Sequence, residues 1–194
     1  MKMSHQRAAN QITEALDQLS NECTACIGRI TAAWVYLETE LDNTIQCLLT
    51  MPETDGLHDD CLLLPFKSRL ALVRAAGKLF YTQMVFDLFE QVLGKVANAY
   101  GQRNPIVHGR FVATEQDGSY SVENHRQVRK DGAFKVIERT YSLKQLAAIS
   151  STVVDAAGAL VDFNREHLPG RPASWLDYTL ATASKRQPAK STDG

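Results

Sequence analysis

Residues 27–50 place the tightest constraint on how this chain can fold. Ile27, Ile30, Trp34, Leu37, Leu41, Thr44 and Leu48 recur at alternating steps of three and four. That spacing lines up side chains on one face of an α-helix. Glu38, Glu40, Asp42 and Asn43 fall largely off the stripe. The stretch reads as one long amphipathic helix ended by Met51-Pro52, because proline cannot continue the helical hydrogen-bond ladder. A helix with a single apolar stripe must bury it against other elements.

The sequence supplies those elements. Residues 8–22 are helix-compatible through Ala8, Ile12, Leu16 and Leu19, either as a separate helix or as an extension of the next one. Residues 53–61 are acidic and turn-like, punctuated by Asp55-Gly56. A second helix starts near Pro65, with Phe66, Leu70, Val73, Gly77 and Phe80 on one face. A third covers about 84–102, with Phe86, Phe89, Leu93, Val96 and Tyr100 as its stripe, and ends against Pro105. The period then changes. Short β-prone runs at Phe111–Thr114, Tyr120–Val122 and Phe134–Ile137 alternate with the turn pairs Asp117-Gly118 and Asp131-Gly132, which signals an antiparallel insertion over about 110–141. Ser142 caps a last long helix, 143–167, whose buried side is Leu146, Ile149, Val153, Ala157, Leu160 and Asn164.

The predicted fold is therefore mainly α: an up-and-down helical bundle over 1–168, with a small antiparallel β-hairpin inserted before the last long helix. Residues 169–194 form a tail. Trp175, Leu176, Tyr178 and Leu180 make a short docking segment within it, and the Lys-, Gln-, Pro- and Ser-rich end reads as disordered.

Composition narrows the function. The formal net charge is −1, whereas a protein that tracks a long nucleic-acid backbone is usually basic. Any such contact is expected to be local. No apolar leader stands at residues 1–20 and no uninterrupted apolar run is long enough to span a bilayer, so the expectation is a cytoplasmic protein with reduced thiols and no membrane partner. Cys23-Thr24-Ala25-Cys26 is a lone C-x-x-C. It lacks the two further ligands a zinc site needs, and its spacing also fits two small residues on one helix face. His58-Asp59-Asp60 reads as a polar loop rather than a metal site. No metal and no cofactor are expected.

The constellation that carries chemistry is Gln102-Arg103-Asn104-Pro105-Ile106-Val107-His108-Gly109-Arg110. Arg103 stands at a helix end. Asn104-Pro105 reads as an N-cap and first helical position. Ile106 and Val107 anchor the next turn, His108 emerges from it, and Gly109 frees the backbone to leave. Arg offers a fork of donors to phosphate, His moves protons near neutral pH, and Asn orients a hydroxyl or an imidazole. The same residues also allow a purely structural reading. Asn104 then only caps a turn, Arg103 pairs with a helix C-terminus or an acid such as Glu38, and His108 is a core histidine. Glu38 and Asp42, one helical turn apart, are candidate supports of Arg103 or simply an exposed acidic face. Arg110, Arg126, Arg129 and Lys130 in the insertion are candidate contacts for an RNA backbone, although interleaved acids also fit a solvated hairpin.

The segment resembles the R-polar-x-x-x-H signature of the HEPN superfamily, with Arg103, Asn104 and His108 matching residue by residue. Trp34 to Asp42 (WVYLETELD) resembles the first long helix of small bacterial HEPN-like proteins. The resemblance implies a helical bundle that homodimerises around a shared cleft. It also implies a metal-independent endoribonuclease of the toxin–antitoxin or phage-defence kind. Arg103 would hold the scissile phosphate, His108 would move the proton, and Asn104 would position the pair. The alternative it leaves open is a non-catalytic module that binds RNA, a nucleotide, or a protein partner such as an antitoxin.

Overall fold

The computed structural model describes residues 19–49, 61, 63–114, 118–127 and 134–168. The expectations for residues 8–18, for the 53–60 turn, for His58-Asp59-Asp60, for Asp131-Gly132 and for the 169–194 tail lie outside the described residues.

The first helix, α1, runs Asn21–Leu49. It starts six residues before the apolar stripe because Ser20 Oγ accepts the Cys23 N–H at 3.1 Å, which satisfies one of the unpaired amides of the first turn. Its buried line is Cys23, Cys26, Ile30, Trp34, Leu37, Leu41, Ile45 and Leu48. Glu40 departs from the expected polar face and is buried. Its side-chain and main-chain oxygens both accept from Asn164 Nδ2, at 3.1 and 3.2 Å, while Thr44 Oγ1 donates to the Glu40 carbonyl at 2.7 Å. A buried carboxylate is tolerated when hydrogen-bonded.

Helix α2 runs Phe66–Phe80 and α3 runs Gln83–Val107. Phe66, Leu70, Val73 and Gly77 are buried as their spacing predicts, but Phe80 is half exposed. Tyr81 takes the inward place, edge-on to Phe89 and Phe163 at 5.3 and 5.5 Å. Arg69, which is not part of that stripe, is buried as well.

The insertion is a three-stranded antiparallel meander rather than a single hairpin: β1 (Arg110–Thr114), β2 (Tyr120–Gln127) and β3 (Phe134–Tyr141), in that order. The register slips between Phe111 and Ala113, as a bulge does. Gly118 has φ of 79°, which glycine adopts without strain. Tyr120 is buried, and its hydroxyl lies 2.8 Å from Ser20 Oγ. It ties the sheet to the start of α1.

Helix α4 runs Leu143–His167 behind a full capping box, with Ser142 Oγ accepting from Gln145 N–H and Gln145 Oε1 accepting from Ser142 N–H. Among the described residues α4 is the one helix long and apolar enough, by length and composition, to cross a membrane. Here its Leu146, Ile149, Val153, Leu160 and Phe163 are buried, and it packs against α1 and α3. The result is a mainly helical bundle with a small antiparallel sheet set before its last long helix.

Candidate functional site at the end of the third helix

Proline at position 105 argues for a break in the chain, yet α3 continues through it to Val107. Pro105 has no N–H, so the Gly101 carbonyl loses its usual donor. Gly101 is exposed, so the loss falls at the surface of the helix rather than in the core. The turn beyond is closed by His108 N–H on the Asn104 carbonyl at 3.2 Å. It is also anchored from outside the helix: Asn124 of β2 donates through Nδ2 to the Pro105 carbonyl at 3.0 Å. Asn104 is thus a residue of the last helical turn and not an N-cap.

His108 is the C-cap, with φ −104° and ψ 6°. Gly109 is needed here for space. Its φ is not positive, but an added Cβ would meet Val122 Cγ1 at 2.1 Å and the Pro105 carbonyl oxygen at 2.3 Å. The expectation that this glycine frees the backbone is replaced by close approach of β2 to the helix end.

Arg103 and Asn104 are half-buried and His108 is exposed. The three side chains meet. Arg103 Nη1 donates to Asn104 Oδ1 and to His108 Nε2, both at 3.2 Å. The two hydrogens of Nη1 are then both committed, and Nη2 has no hydrogen-bond partner among the described residues. The guanidinium lies 4.8 Å above the Trp34 ring, a cation–π contact. Trp34 packs in turn on Phe66 at 4.7 Å and Tyr100 at 5.8 Å. Burial pulls the Arg103 guanidinium below its ordinary value, opposed by the negative field of Glu38. Arg103 Nε is buried with no partner.

The carboxylates of Glu38 and Asp42 turn elsewhere. Both take Arg69 of α2: Glu38 Oε1 receives Nη2 at 2.7 Å, and Asp42 Oδ1 receives Nη1. One guanidinium fork spans two acids spaced by a helical turn. Burial raises the Asp42 carboxyl above its ordinary value against the lowering hydrogen bond and charge of Arg69. No carboxylate pairs with Arg103 among the described residues. Its hydrogen-bond partners among the described residues are an amide and an imidazole.

Arg110 is exposed at the start of β1, opposite Glu123. The backbone of Arg126 pairs with Lys135 in the β2–β3 ladder. Arg129 and Lys130 lie outside the described residues. Sequence reasoning missed Trp34 as the platform under Arg103, Arg69 as the holder of Glu38 and Asp42, and Asn124 as the clamp on Pro105. Trp34 was legible only as a core position, and nothing local marks Asn124 as facing α3. An open groove of about 700 Å³ between α3 and α4, lined by Lys95, Asn98, Asp155 and Asp162 among others, contains none of the motif residues. Cys23 and Cys26 are both buried in α1 with free thiols, and among the described residues no three or more His, Cys, Asp or Glu gather as metal ligands.

Chemically, the cluster offers a guanidinium with no carboxylate bonded to it, beside an imidazole on the surface. No family model, no curated protein and no solved structure matches this chain.

Proposed function

We propose that Arg103, Asn104 and His108 form the active centre of a HEPN-like, metal-independent endoribonuclease. The observation that carries this reading is the pairing of Arg103 with an amide oxygen and an imidazole nitrogen, Asn104 Oδ1 and His108 Nε2, while Glu38 and Asp42 are taken by Arg69. A cation with no directly bonded carboxylate suits a phosphodiester anion, and an exposed imidazole next to it suits proton transfer. Arg103 binds the scissile phosphate. His108 takes the proton of the ribose 2′-OH, the 2′-oxygen attacks phosphorus, and the P–O5′ bond breaks. The departing O5′ takes a proton from water, leaving a 2′,3′-cyclic phosphate and a 5′-hydroxyl. Asn104 holds the guanidinium in register. Arg110, Arg126, Arg129 and Lys130 of the insertion contact the flanking backbone, and Arg69 with Glu38 and Asp42 supports the site from behind.

The same reading makes the bundle an up-and-down HEPN-like fold in a cytoplasmic toxin or defence effector, assembled as a homodimer whose motifs face one cleft. Exposed apolar side chains, Tyr36, Leu79 and Met84 among them, are available to such an interface. The test is purified protein with mixed RNA in excess chelator and analysis of product ends. Cyclic phosphate termini that vanish with His108→Ala support the proposal. An inert wild type, with His108→Ala costing several kcal/mol of stability, sinks it.

A second reading has one observation in its favour. The net charge of −1 suits a non-catalytic module that binds RNA, a nucleotide or a protein partner such as an antitoxin through the same cluster. Binding of a short RNA without cleavage by wild type would select it.

A further inference from the structure

Arg103 Nη1 is a donor only, so the His108 Nε2 that faces it at 3.2 Å must accept. An imidazole accepting at Nε2 is neutral and carries its proton on Nδ1. The lone pair that a base at this site would use is therefore already occupied by the residue that would bind the phosphate. Nη2, in contrast, has no protein partner among the described residues, and Asn104 Oδ1 holds the second hydrogen of Nη1.

We infer that Arg103 is both the anion anchor and the cap on the base, so that a phosphodiester seated on the guanidinium fork draws Nη1 off His108 and releases Nε2. The inference takes its substrate from the nuclease reading, but its geometry stands on the Arg103–His108 contact. The anion first meets Nη2. The side-on fork of Nε and Nη2 is closed because Nε is buried, so bidentate binding of a phosphate takes Nη1 as its second donor, and the charged oxygen outcompetes an imidazole nitrogen for that hydrogen. His108 is thereby unmasked only when a phosphate is in place, and the resting site does not present a free base to solvent. Trp34 keeps the guanidinium over its ring at 4.8 Å, so the anchor stays at the site while Nη1 changes partner.

The experiment is ring-nitrogen NMR of the full chain with ¹⁵N-labelled histidine, the His108 signals being identified by their loss in His108→Gln. Wild type alone is expected to show the Nδ1–H form, favoured by roughly tenfold or more, the equilibrium equivalent of one hydrogen bond from a charged donor. A non-cleavable 2′-O-methyl tetranucleotide, and separately inorganic phosphate, are then titrated in. The Nδ1–H preference is expected to collapse at saturation, as it should in Arg103→Ala without any ligand. The wild-type titration decides the matter if that variant does not fold.

Nε2–H dominance in the free chain overturns the inference, as does a saturated tetranucleotide complex in which the tautomer is unchanged. The outcome separates from that of the nuclease reading. A chain that cleaves RNA with no tautomer change loses the inference and keeps the activity. An inert chain whose tautomer responds to the tetranucleotide keeps the anion-released imidazole and loses the nuclease.

Discussion

A methyl group on Gly109 would lie 2.1 Å from Cγ1 of Val122, so β2 is pressed directly onto the residue that follows His108. Val122 is fully buried, and the Pro105 carbonyl oxygen, 2.3 Å from the same point, is backbone that cannot step aside. Gly109→Ala should destabilise the protein by about 1–3 kcal/mol, the usual cost of overpacking a tight site, read from urea unfolding. It should also push Asn124 off the Pro105 carbonyl and lower any activity of the motif. A fully stable Gly109→Ala would mean that β2 is not seated on the helix end.

His108 is exposed and Arg103 half-buried. Under the proposed chemistry, His108→Ala should cut RNA cleavage by ~10²–10⁴-fold, the scale of lost general acid–base catalysis. Its stability should stay within about 0.5 kcal/mol of wild type, as for other surface changes. Cleavage assays on both proteins, paired with thermal melts, separate a functional loss from an unfolded variant.

Asn164→Ala removes the amide that Glu40 Oε2 and the Glu40 carbonyl share and the oxygen that Thr44 Oγ1 meets at 3.1 Å. Polar atoms of the α1–α4 contact lose a partner inside the core. The expected loss is about 1–3 kcal/mol, measured by chemical denaturation.

Arg69→Leu leaves the Glu38 and Asp42 carboxylates side by side without their shared cation. Both are about one third exposed, so the penalty falls below that of a fully buried pair, at roughly 1–3 kcal/mol. Because the cost is charge repulsion, it should shrink when the pH is lowered far enough to protonate the two acids. Acid and neutral denaturation curves of the variant against wild type check this.

The Cys23 thiol is pushed up to about 11, by burial first and then by Cys26. Only the thiolate is nucleophilic, and at mildly alkaline pH roughly one thiol in a thousand is ionised. Cys23 should therefore resist iodoacetamide in the native protein and react at an ordinary rate in urea, as peptide mass mapping would show. Rapid native labelling would contradict its place in the core of α1.

Much of the frame could be read along the chain. The stripe from Ile30 to Leu48 and the stripe from Leu146 to Asn164 declare α1 and α4 because helical period is a property of neighbours three and four apart. The α4 start is equally local, since Ser142 and Gln145 cap each other within one turn. The motif itself was visible as Arg103, Asn104 and His108 in a short segment. What the tertiary structure decided is how that segment is used. Pro105 stays helical because Asn124 and Val122 arrive from a strand that begins fifteen residues later. Glu38 and Asp42 pair with Arg69 because α2 brings a buried guanidinium against α1. Phe80 faces out because Tyr81 reaches Phe163 on α4. Each of these outcomes depends on a partner distant in sequence, and the choice among partners is made by burial and charge pairing in the folded bundle, which no local pattern encodes.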